Sequence, residues 1–428
     1  MMTQPKPLYA FYGDDFTGST DVLEALALHG VASVLFTHLP DERERAAFAD
    51  CRAIGMAGES RSRDTRWMTR NLPAVFARMR ALGAAVNHYK VCSTFDSTPR
   101  AGSIGRAMEL GSAAFDAEFV PVVVCAPHLG RWVVFSNLFA AEEGVVYRID
   151  RHPTMKQHPV TPMTEADLRL HLAKQTQMRM GLVDLTAFQA NRAGERLQAE
   201  LTAGAEAVIF DGLDDAMLDE TARLVWERAN ERPVFAVGSS GLTYGLLRHW
   251  RRLGVLDAPP QACRPPRVGR LLVLSGSCSP VTKKQILCAK RQGFVVLHLE
   301  GPEPWGAQTR KALEVLARGQ SVVLYTALGP QPEDEEHGEA FAAALGNRLR
   351  ELLLVSGVRR IVVAGGDTST HVVKQLGLDA LTFVAPLAPG APLCRGYAPD
   401  SPLDGLELVL KGGQIGPEEF FAQVRDGG

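Results

Sequence analysis

Short apolar runs alternate with amphipathic stretches along nearly the whole chain. The runs at Leu8–Tyr12, Ser33–Phe36, His88–Cys92, Val120–Cys125, Gly181–Leu185, Val208–Asp211 and Val234–Val237 are short and rich in β-branched or aromatic residues, the signature of buried strands. Between them, Thr20–His29, Ala74–Leu82 and Asp167–Gln175 place apolar residues at helical spacing. A second series opens at Arg270–Leu274 and continues through Phe294–Leu299, Ser321–Tyr325, Arg360–Ala364 and Leu406–Leu410, with a helix expected around Ala340–Leu353 after the acidic stretch Pro332–Glu339, read as a solvated loop. This βαβα rhythm predicts an α/β protein whose sheets are mainly parallel and covered by helices.

The rhythm breaks once. Asp257–Arg267 holds four prolines and no apolar period, so it reads as an extended linker. The expected division is residues 1–255, a linker over 256–269, and 270–428. A length of 428 residues suits two such domains.

Composition narrows the function classes. Apolar residues make up 46% and charged residues 22%, with a formal net charge of −2 and no basic run, which argues against a nucleic-acid or membrane-surface partner. Seven scattered cysteines, never in a C-x-x-C pair, suit reduced thiols better than a disulfide framework or a zinc site. No apolar run approaches membrane-spanning length and the first residues carry no signal-peptide core, so the expected compartment is the cytoplasm. The oligomeric state is open, a homo-oligomer included.

Ligands of open α/β sheets bind beyond the carboxyl ends of strands. Three such turns in the second half share one design: Ser275-Gly276-Ser277-Cys278-Ser279, Gly365-Gly366-Asp367-Thr368-Ser369 and Lys411-Gly412-Gly413-Gln414-Ile415-Gly416. None is a Walker A loop or a Rossmann fingerprint. Glycine after a strand is common alone; three together favour a phosphate-bearing ligand, with helix N-termini behind the first two.

In the first half, Asp14 and Asp15 are adjacent at a strand end, where each carboxylate raises the other's pKa. Either both serve chemistry, one on a substrate hydroxyl or its proton and the other toward Mg2+ or a helix N-terminus, or one simply caps the following helix with Thr17 or Ser19. Lys90-Val91-Cys92-Ser93-Thr94-Phe95-Asp96-Ser97 gathers a cation, hydroxyls and a carboxylate, an inventory for a polyhydroxy acid; it also suits a hydroxyl-rich turn. Arg61 is a second candidate for the acid's carboxylate, or a solvated arginine. His152–Met163 reads as a rigid proline-bounded loop without metal-pair spacing.

Taken in order, Asp14-Asp15-Phe16-Thr17-Gly18, Cys92–Thr98, His158-Pro159-Val160-Thr161-Pro162-Met163, the Ser275 turn, the Gly365 turn and Lys411–Gly416 resemble the motifs of the four-carbon acid sugar kinases across nearly the whole chain. The resemblance implies an N-terminal domain for the sugar acid, a C-terminal domain for ATP with Mg2+, and transfer in the cleft between them. It implies substrates such as threonate, erythronate, 3-oxo-tetronates or the branched 3-oxo-isoapionate. Asp14 and Asp15 would be catalytic; Arg61, Lys90, Ser93, Thr94, Asp96 and Ser97 would contact the acid. Ser275, Gly276, Ser277, Gly365, Gly366, Asp367, Thr368 and Gly413 would contact the nucleotide. The sequence departs from the family's usual pattern at Asp367 (commonly Glu), at Gly412, Gln414 and Ile415, in the loop Ala126–Trp132, and at Ala388–Arg395. A metal-dependent sugar-acid lyase or isomerase and a non-catalytic nucleotide sensor are the competing functions; turnover without ATP marks the first, and binding without consumption the second.

Overall fold

The computed structural model describes residues 6–142, 144–158, 160–261, 263–300, 305–329 and 339–428, with side chains except at Glu339 and Asp367. The acidic stretch before Glu339, Pro159 and the side chain of Asp367 therefore lie outside the described set. Two compact units form. The first takes the chain as far as Asp14, then His29–Ala32 and Ala49–Pro259; the second takes Asp15–Leu28, Ser33–Phe48 and Pro260–Gly428. The chain therefore changes unit between the two aspartates, a crossing that a single linear cut after residue 255 does not contain.

The first unit holds seven parallel strands among its described residues, in the order Ala53–Ala57, Tyr9–Gly13, Val86–Lys90, Val234–Gly238, Val120–Val123, Ala207–Phe210, Met180–Val183. Their carboxyl ends share one edge, because the register sets Gly13 beside Lys90 and Lys90 beside Gly238. Strands buried on both faces lose the in–out alternation of surface sheets. Tyr9, Phe11, Val122, Ile209 and Phe235 are all fully buried here. A separate three-stranded antiparallel sheet, Arg131–Val134, Asn137–Glu142 and Val145–Arg148, occupies ground where the apolar rhythm marks no strand. Two of its connecting residues, Phe135 and Ser136, have positive φ, which closes a tight hairpin.

In the second unit the order is Val295–His298, Val322–Tyr325, Leu272–Ser275, Arg360–Ala364, Glu407–Lys411, Ala391–Tyr397, Ala380–Ala388, Ser33–Phe36. The first five are parallel; the long pair Ala380–Ala388 and Ala391–Tyr397 runs antiparallel. This pair is missing from the apolar rhythm because Pro386, Pro389 and Pro392 interrupt it, and register shifts absorb the lost donors. The core joins Leu271, Val273, Val323, Val362 and Val409 to Phe420 and Phe421 of the last helix. The helix Phe16–Leu28 packs in this unit, on the antiparallel pair and on the helix Gly366–Leu376. Its Glu24 is buried and accepts a 2.7 Å bond from the N–H of Gly390.

Candidate functional site

In the first unit, backbone bonds tie three segments together at the strand ends. Asp14 N–H donates to Lys90 O at 2.9 Å, Arg61 N–H to Asp14 O at 3.2 Å, and Gly58 N–H to Gly13 O at 2.9 Å. Asp14 and Lys90 are both buried there. The turn after Lys90 folds back through Phe95, a bulky residue at φ 55°, with its N–H on Cys92 O. Such a conformation costs energy and persists only where packing imposes it; here Phe95 is fully buried, its ring beside His171.

That strain delivers Asp96. Its carboxylate accepts Arg61 Nη2 at 2.9 and 3.0 Å, Thr94 Oγ1 at 2.5 Å and Thr161 Oγ1 at 2.7 Å. Burial raises its pKa, but Arg61, neighbouring His158 and the two hydroxyls outweigh burial and hold it at about 2. Arg61 is thus engaged with Asp96 rather than standing as a solvated clamp, because a buried carboxylate without a counter-charge would be far more costly. Ser97 turns inward, bonded to His171 and Gln175 at 2.9 Å each. Ser93, with Asp14 and Lys90, stays at the strand ends. Sequence reading passed over Thr161, which docks the His158–Met163 loop onto Asp96. It also passed over Ser239, which caps the helix Ser240–Arg252 behind Gly238, and Ser240, whose buried hydroxyl has no hydrogen-bond partner among the described residues. Both lie after a strand, the signal used elsewhere, but a lone serine pair without glycine motif did not stand out.

In the second unit the three glycine turns converge. Gly276 N–H donates to Ala364 O at 3.0 Å and Gly365 N–H to Lys411 O at 2.9 Å, so adjacent strand ends hold adjacent turns. Ser277 N–H reaches Ser275 Oγ, Ser279 N–H reaches Ser277 Oγ, and Ser279 caps the helix Pro280–Arg291. The glycines are required by space: a Cβ on Gly276 would lie 2.1 Å from Thr368 Oγ1, and one on Gly413 2.7 Å from Ser277 Oγ. Gly365 has φ 120°, open to glycine alone. The turns thus bring backbone N–H groups and hydroxyls close together, which fits a nucleotide's phosphates.

Asp15 belongs to this second unit. Its Oδ1 accepts Gly18 N–H at 2.5 Å and its Oδ2 accepts Thr17 Oγ1 at 3.2 Å, so it caps the helix Phe16–Leu28. It also lies about the Gly366 turn, 4.0 Å from where a Cβ on Gly366 would stand. Capping does not use up the carboxylate, which has lone pairs left after two such bonds. The one trio among the described residues spaced to ligate a metal, His38, Glu44 and Asp379, lies at the ends of the paired strands Ser33–Phe36 and Ala380–Ala388; Glu44 there completes a capping box with Asp41.

Two family models match: a sugar-binding N-terminal domain over residues 9–246 and a nucleotide-binding C-terminal domain over 272–421. A 3-oxo-isoapionate kinase of Paraburkholderia graminis is 44% identical, over 98% of this chain and 94% of its own length. The chain belongs to the four-carbon acid sugar kinase family. As a member of this sugar-acid kinase family it is an enzyme that phosphorylates a hydroxyl. A 3-oxo-tetronate kinase of Cupriavidus necator is 32% identical over 98% of this chain and 96% of its own. A Salmonella typhimurium protein described as a candidate tRNA synthase shares 25% identity and superposes with a TM-score of 0.78, covering 97% of this chain and 98% of that one. A Haemophilus influenzae protein at 24% identity and TM-score 0.71, covering 97% and 99%, shares the fold.

Proposed function

We propose that this kinase transfers the γ-phosphoryl group of ATP to a hydroxyl of 3-oxo-isoapionate. The observation that carries the choice of acid is the 44% identity to the Paraburkholderia graminis enzyme, against 32% to the 3-oxo-tetronate kinase of Cupriavidus necator, at the same coverage of this chain.

The acid binds at the strand ends of the first unit and ATP on the glycine turns of the second. Lys90 meets the substrate's carboxylate, a task Arg61 does not share because Asp96 engages it. Ser93 and the Asp96–Thr94–Thr161 cluster bound the hydroxyl-binding side. Asp14 orients the attacking hydroxyl and takes its proton as the oxygen–phosphorus bond forms and the bond to the β–γ bridging oxygen breaks, releasing ADP. Ser275, Ser277, Thr368 and the N–H groups around Gly276, Gly365, Gly366 and Gly413 hold the phosphates. Asp15, beside Gly366, is the carboxylate suited to Mg2+, which neutralises phosphate charge when bound. The roles thus divide along the chain's own crossing point: base on one side, metal on the other. Seven unpaired cysteines support a reducing compartment, the cytoplasm.

A coupled ADP-release assay with Mg·ATP tests the substrate against 3-oxo-isoapionate, D- and L-threonate, D- and L-erythronate and the 3-oxo-tetronates. Preference for 3-oxo-isoapionate in kcat/KM supports the assignment; preference for a linear acid overturns it.

A further inference from the structure

Lys411 closes the strand Glu407–Lys411 and is fully buried. Its Nζ donates to Thr282 Oγ1 at 3.1 Å and approaches Gly413 O at 3.5 Å. Among the described side chains none forms an ion pair with it, and burial lowers its titration to about 7. The contrast with Arg360, one strand away and equally buried, is direct: Arg360 donates to Glu407 at 2.8 Å and to Pro266 O and Val424 O. A buried cation normally has a partner, because desolvation is otherwise uncompensated.

The place of this ammonium tells what completes it. Lys411 O receives the N–H of Gly365, and Thr282, its hydroxyl partner, also donates to Gly413 O at 2.8 Å from the first turn of the helix capped by Ser279. Nζ therefore sits between the helix capped by Ser279 and the Gly412–Gly416 turn, on a strand end whose carbonyl holds the Gly365 turn. Resting on the nucleotide site proposed above, we propose that the counter-charge of Lys411 is the polyphosphate of the bound nucleotide, so that Lys411 positions the Gly412–Gly413 turn and attracts the phosphates through it.

Binding is then linked to protons. In the free enzyme burial leaves much of Lys411 neutral above pH 7; an anion overhead raises its pKa, and a proton is taken up. Uptake grows from pH 6 toward about one proton near pH 8.

Titration calorimetry of ATP, ADP and adenosine, in buffers of differing ionisation enthalpy, tests this on the wild type and on Lys411→Met, with thermal melts as a folding control. The wild type is expected to take up a proton with ATP and ADP at pH 8. Lys411→Met is expected to bind both about 30-fold more weakly, without that uptake, while binding adenosine as the wild type does. Thr282→Val keeps the ammonium and should keep the uptake. If the variant binds ATP like the wild type, or the wild type takes up no proton at pH 8, the inference falls while the nucleotide site stands. If the wild type binds no ATP, the nucleotide reading fails as well.

Discussion

The two acidic residues that matter most to the first unit act in opposite ways. Asp96 is fully enclosed, with Arg61 and two hydroxyls fixed on it, so its charge stabilises the fold. Its pKa is depressed to about 2 in the folded chain, against an ordinary 3.8. The stability it contributes is therefore present above about pH 4 and lost as the pH falls through 2. Asp96→Asn should cost about 3–5 kcal/mol at pH 7, by leaving the Arg61 guanidinium without its partner. Urea titrations should also show the variant's deficit shrinking between pH 4 and pH 2; an equal deficit at both would refute the pairing. Asp14 should behave otherwise. Asp14→Asn is expected to lower kcat at least about 100-fold while the dissociation constant for ATP and the melting temperature hold, measured by steady-state kinetics and calorimetry. A parallel loss of ATP affinity would move Asp14 out of the base role.

Strand-end turns are where the chain's elements become chemistry, and their tolerance is set by distances already quoted. A Cβ at Gly413 would meet the Ser277 hydroxyl at 2.7 Å and Ser279 Cβ at 2.9 Å, and one at Gly276 would meet Thr368 Oγ1 at 2.1 Å and Thr368 Cγ2 at 3.1 Å. Gly413→Ala should raise KM for ATP about 10-fold, with KM for the acid unchanged, since the perturbation stays among the glycine turns of the second unit. Equal rises in both KM values would argue that the turn does not belong to the nucleotide. The parallel strands and the turns after them were legible in the sequence because each buried strand is a compact apolar run and each turn is marked by glycine and hydroxyls. The pair Ala380–Tyr397 was not, since proline hides a strand whose register slips around it. Nor was the employment of Arg61: nothing in the spacing of residues 61 and 96 says that a strained Phe95 will bring them together. Asp15 could be read two ways from the sequence; the capping bond is there, and the carboxylate also lies near a glycine turn.

The chain as a whole is not two beads on a string. Phe16, Val22, Leu23, Ala25 and Leu26 bury themselves in a unit whose other residues begin at Pro260, apart from Ser33–Phe48. We propose the roles of residues 1–255 and 270–428 as acid-binding and nucleotide-binding, but not their autonomy. A fragment of 256–428 made alone lacks that helix and the strand Ser33–Phe36, leaving an apolar face and the strand Ala380–Ala388 without that partner. It should elute as aggregate on size exclusion and show no cooperative melt, and co-expression with residues 1–48 should recover a soluble complex; a monomeric, cooperatively melting fragment would show that the early segments are dispensable. The same interleaving sets a schedule for the ribosome. Glu24 receives its hydrogen bond from Gly390, a residue 366 positions later, and at roughly 5–20 residues per second that partner emerges some 20–70 s after it. Through that interval the apolar face of the first helix has no final home, so the nascent chain carries an extended exposure that a trigger-type chaperone would be well placed to cover.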